Sequence, residues 1–169
     1  MIEIGVANVV TPKGPKDYVT LASPSMAFSA GLIPEAILGV LKQPLAASGT
    51  LTPENFMTNS VFRQFLAGVI AKHGPDNTDL QAEAKRIGKG YVVVVDLRTR
   101  TPQGAPPEDI IGAFTVEDGK VVAGSYQASP NHKLLTAGGF FRLDSFLEEC
   151  LKRELAALAS DPGKPADPA

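Results

Sequence analysis

Two spacings of apolar residues run through this chain. Residues 2–10 are dense in β-branched side chains and end at Thr11-Pro12, which predicts a first strand. From Lys13 to Gly31, prolines, glycines and serines alternate with isolated apolar residues such as Leu21, Met26 and Phe28, so a packed irregular segment is expected. Pro34 then suits the start of a short helix carrying Ile37, Val40 and Leu41, with Pro44 stopping it. A longer helix follows. Met57, Val61, Phe62, Phe65, Leu66, Val69 and Ile70 recur every three or four residues, with Thr52 and Pro53 as the start signal and Gly74 as the stop. Asn59-Ser60 offers a second starting point inside that span. Another helix is predicted at Asp79–Ile87, where Thr78 and Gln81 have capping-box spacing and Gly88 lies just past the end.

Tyr91 to Val95 contains four consecutive valines, a pattern suited to a strand buried on both faces, here expected to continue through Thr99. After the Pro- and Gly-rich stretch 101–107, two apolar runs, 110–116 and 121–126, flank Glu117-Asp118-Gly119-Lys120. Asp-Gly at the centre predicts a hairpin with a type I′ turn. That turn sets Val116 opposite Val121, Phe114 opposite Ala123, Ala113 opposite Gly124 and Gly112 opposite Ser125. The small residues in the middle would let a helix, a bulge or a ligand come close. A last helix is expected over Ser145–Ala159, with Ser145 and Glu148 as a capping box and Leu147, Leu151, Leu155 and Leu158 as its core stripe. Residues 161–169 lack apolar periodicity and read as a disordered tail.

The assembled prediction is an α+β fold in a single domain over residues 1–160. A small, mainly antiparallel sheet of about four strands would be packed by a long central helix and a C-terminal helix. Length agrees with one domain, at 169 residues. A formal net charge of −2 argues against a nucleic-acid or anionic-membrane binder, which would carry a basic excess. An acid stands where a secretory signal would carry Lys or Arg, and no apolar stretch is long enough to span a bilayer, so a soluble cytoplasmic protein is expected. One cysteine and two histidines exclude a disulfide framework and a zinc finger, so no metal or cofactor is called for.

Familiar phosphate-binding, nucleophile-elbow and metalloprotease motifs are missing. Gly88-Lys89-Gly90 follows a helix and precedes a strand, the wrong order for a phosphate loop. Cys150 sits on the apolar side of its helix, as a small hydrophobe would. Asp96, Arg98 and Arg100 alternate along the predicted strand and could form an anion pocket, or pair locally with one another and with Glu108 or Asp109. Tyr126, Asn131 and His132 lie in a polar run leaving the hairpin, where an exposed imidazole could serve as acid or base.

Three functional classes follow. The first is a non-catalytic protein-interaction or assembly module, binding a protein partner or a second copy through a sheet edge and the segment Gln127–Phe141. Second comes a small-molecule or anion-binding domain or enzyme, with its site near Asp96, Arg98, Arg100 and His132. The third is a nucleic-acid accessory protein using Lys85, Arg86 and Lys89. With no catalytic constellation in the sequence, the first is expected.

Overall fold

Strand formation does not stop at Thr11. A computed structural model of the chain describes residues 4–21, 33–43, 51–99 and 104–159. In it β1 (Ile4–Thr11) turns through Pro12 and Lys13 into β2 (Gly14–Leu21), an antiparallel partner paired from Thr11↔Gly14 to Ile4↔Leu21. Part of the stretch expected to be irregular is therefore a strand. Its two prolines disguised it, because they sit at the turn and at the strand's second residue, where lost N–H donors do little harm. Gly14 takes φ +109, and Thr11 Oγ1 donates to Gly14 O at 2.6 Å to close the turn. Met26 and Phe28 lie outside the described residues.

The short helix expected after Pro34 is a second correction. Pro34–Ala36 makes one tight turn, and Ile37–Leu41 is strand β3. Ile37, Leu38 and Leu41 are all buried, so burial of this apolar run between its strand neighbours won over helical spacing. Likewise Thr52-Pro53 starts no long helix. After a turn at Pro53–Asn55 comes β4 (Phe56–Thr58), and α1 begins at the alternative start, running Ser60–His73. Asn59 holds that junction. Its Oδ1 accepts from the Val61 N–H, and its Nδ2 donates to Pro34 O and Ile37 O, both at 2.9 Å. The first sheet has the order β1-β2-β3-β4 and is antiparallel throughout. The first strand thus pairs with its hairpin neighbour.

α2 (Thr78–Ile87) matches its predicted span, and Gly88 ends it with φ +80. The cap is Asn77, one residue earlier than the capping box placed it. Gln81 instead donates to Pro75 O and accepts from the Val121 N–H. β5 (Gly90–Val95) pairs with β6 (Ile110–Glu117), which turns through Asp118-Gly119 into β7 (Lys120–Val121). Asp118 at φ 51 and Gly119 at φ 71 are the two positive angles a type I′ turn needs, and Val116 faces Val121 as predicted. Beyond Val121 the predicted register fails. The chain loops out through residues 122–126, and β8 (Gln127–Ala128) brings Ala113 opposite Gln127 and Gly112 opposite Ala128. Ser125 accounts for the slip: its Oγ takes the Thr115 N–H and donates to Val122 O, replacing ladder bonds.

β9 (Leu135–Thr136) and β10 (Gly139–Phe140) form a separate two-stranded ribbon, and α3 (Ser145–Ala159) follows. Asp144 caps α3 by accepting from the Leu147 N–H, again one residue before the expected Ser145. Leu147, Cys150, Leu151 and Leu155 are buried, whereas Leu158 is exposed. The fold is α+β, with antiparallel sheets. Its contacts divide it into two compact units, one of the residues up to Phe65 with those from Leu151 onward, the other Leu66–Cys150. The predicted tail lies outside the described residues.

Candidate functional site

Asp96, Arg98 and His132 meet in the second unit, just beyond the end of β5. That strand buries Val92 and Val94 but leaves Tyr91 69% and Val93 43% exposed, so it is covered on one face and not on both. It stops at Val95, not at Thr99. Asp96 N–H donates to Asp109 O, Leu97 N–H to Arg142 O, and Thr99 N–H back to Asp96 O, which folds the backbone into a turn. Asp96 Oδ1 accepts from the Arg98 N–H at 3.0 Å, the local bond by which aspartate favours turns over strands. The alternation that would have put Asp96, Arg98 and Arg100 on one strand face is lost. Arg100 itself lies outside the described residues.

Asp96 is fully buried, and its carboxylate collects four donors. Oδ1 accepts from Arg98 N and Arg142 N, while Oδ2 lies 2.9 Å from Arg98 Nη2 and 3.0 Å from His132 Nε2. Burial pushes this carboxyl's pKa up. The His132 hydrogen bond, the two backbone N–H groups and the Arg98 charge outweigh it, leaving the pKa below the ordinary carboxylate value. An ionised carboxylate only accepts, so His132 Nε2 carries the proton in that bond.

The Arg98 side chain is 2% exposed. Nη1 donates to Thr136 Oγ1 and to Gly139 O at 2.8 Å, and Nη2 to Lys133 O at 2.7 Å and Glu108 O at 3.4 Å. Asp109 Oδ1 stands 3.1 Å from Nη2, with Asp109 Oδ2 accepting from Thr99 Oγ1. Arg98 Nε is buried and has no hydrogen-bond partner among the described residues, whereas Asp109 Oδ1 is held by the ion pair alone. The structure thus brings Asp96, Arg98 and His132 together and closes the guanidinium against the protein's own groups. His132 is buried in this cluster, not exposed in a turn.

The other two candidates lie elsewhere. The Tyr126 hydroxyl donates to Ile111 O at 3.3 Å, and its ring meets Phe114 at a centroid distance of 5.0 Å. It also fills the space a Cβ at Gly112 would need, so a ring of the same unit occupies the small-residue band. Asn131 is exposed, its N–H donating to Ser129 Oγ. Thr99, Thr136 and the carbonyls of Lys133 and Gly139 were not foreseen as parts of the cluster. They are reached across up to 41 residues of sequence, and no local pattern marks them.

Chemically the cluster is a clamp. Among the described residues no group of three or more His, Cys, Asp or Glu is placed to hold a metal ion. Segment Gln127–Phe141, expected as a contact surface, has His132, Leu134, Leu135 and Phe141 buried, because its apolar side chains complete the unit's own core. In the first unit, a recess of about 360 Å³ is lined by Tyr18, Ile37, Val40 and Met57 among others. Among the described residues no helix is long and apolar enough to cross a membrane. No protein-family model, curated protein or solved structure matches the chain.

Proposed function

We propose that this chain is a non-catalytic assembly module that pairs with a second copy of itself along the outer edge of β5. One observation carries the reading: β5 pairs only with β6 among the described residues, and its outward face shows Tyr91 and Val93 to solvent. Exposed strand edges are ordinarily blunted by proline, bulges or inward charges. Between Gly90 and Val95 there is no proline and no charge, and the irregular pairing falls only at Val94/Val95. An antiparallel copy must keep Val92 and Val94 on the covered face, since a one-residue slip would turn them out to water. Pairing about Val93 satisfies this and sets Tyr91 against Val95 of the second copy, an aromatic–β-branched pair of the kind that stabilises sheets.

The test is sedimentation across a concentration series, for the natural chain and Val93→Lys. The natural chain is expected to shift from monomer to dimer while Val93→Lys stays monomeric with an unchanged melting temperature. A natural chain that remains monomeric throughout, with β5 amides exchanging equally at all concentrations, would overturn the reading.

A further inference from the structure

The β9–β10 ribbon pairs with itself and with no other strand among the described residues, so no sheet ladder holds it to the unit. Two side chains supply several of the polar ties of residues 132–142. Arg98 grips Thr136 Oγ1, Gly139 O and Lys133 O, and Asp96 receives His132 Nε2 and the Arg142 N–H. Two backbone bonds add to these, Lys133 N–H to Glu108 O and Leu97 N–H to Arg142 O. Against this stands Arg98 Nε, buried without a hydrogen-bond partner among the described residues, a donor that opening would return to solvent. Buried charge clusters are also poor sources of net stability, because desolvation offsets much of their attraction. Closure is thus opposed by terms that opening relieves.

We propose that Asp96 and Arg98 form a latch: they hold residues 132–142 shut, and losing the pin releases that segment as one cooperative piece while β5 and β6 stay paired. The released piece would expose Leu134, Leu135 and Phe141, now buried. This is independent of self-association through β5. Asp96→Asn is the direct probe. Its Oδ1 can still accept from Arg98 N and Arg142 N, but an amide nitrogen replaces the oxygen facing Arg98 Nη2 and His132 Nε2.

Native-state hydrogen exchange at neutral pH reads the outcome. In Asp96→Asn the Lys133 and Phe141 amides should accelerate at least about tenfold more than the Val92, Val94 and Phe114 amides. His132→Phe, which removes one donor and leaves the ion pair, should show the same pattern more weakly. Equal acceleration of the ladder amides, or none anywhere, would overturn the proposal. So would failure of both variants to fold, since a latch must be separable from the fold it closes.

Discussion

Asp96 shows how one residue's chemistry becomes a property of the whole fold. Removing its carboxylate would strand the Arg98 guanidinium in a site where its side chain is only 2% exposed. Breaking a buried pair from one side usually costs about 3–5 kcal/mol, so Asp96→Ala should lower unfolding stability in urea by roughly that amount at neutral pH. Acid has a related effect. Asp96's pKa is lower in the folded state than in the unfolded chain. Its contribution is therefore complete above the ordinary aspartate value, about 3.9, and is lost as pH falls through the lower folded value. Stability measured from pH 6 downward should begin to fall near about pH 4, and Asp96→Asn should flatten that decline. An undiminished slope in Asp96→Asn would assign the acid sensitivity to other carboxylates. The sequence had named Asp96, Arg98 and His132, yet it could not show that they meet. An aspartate accepting its i+2 N–H ends a strand that valine content alone would have prolonged.

Among the elements, those fixed by local chemistry were legible and those fixed by distant partners were not. The Asp118-Gly119 turn needs two positive φ angles, which few dipeptides supply, and Gly88 and the leucine stripe of α3 are similarly local. β3 and β4 were hidden because Ile37, Val40 and Met57 also fit a helical spacing, and only pairing across the sheet decides between the two. β2 was hidden behind Pro12 and Pro15. Both misplaced caps share a cause: Asn77 and Asp144 each precede a Ser or Thr, and the Asx residue took the role. The slip beyond Val121 was invisible because Ser125 replaces the ladder with its own side chain. Gly112 gives this scale its prediction. A Cβ there would run into the Tyr126 ring, so Gly112→Val should destabilise by about 1–3 kcal/mol, the usual cost of overpacking. Gly112→Val in a Tyr126→Ala background should recover part of that loss. A melting temperature unmoved by Gly112→Val alone would mean the ring has room to move.

Across the molecule, polar side chains join segments far apart in sequence: Asn59 links β3 to α1, and Arg98 links the turn after β5 to the ribbon. Asn77 and Asp144 do more than cap. Asn77 Nδ2 donates to Asp144 Oδ2 at 2.9 Å, so the starts of α2 and α3 are tied by one bond across 67 residues. Each helix start is electropositive, and Asp144 places a negative charge where both can use it. The timing of folding follows from this. α2 can form locally, whereas a contact spanning 67 residues must first pay the entropy of closing a long loop. The joint between the caps should therefore be made after the main barrier is crossed. Asn77→Asp keeps the oxygen that caps α2 but sets two carboxylates face to face, so it targets the joint and spares the cap. In stopped-flow kinetics it should speed unfolding several-fold and leave the folding rate nearly unchanged. A slowed folding limb would place this contact in the nucleus instead, with the two helix starts meeting before the β5–β6 ladder is complete.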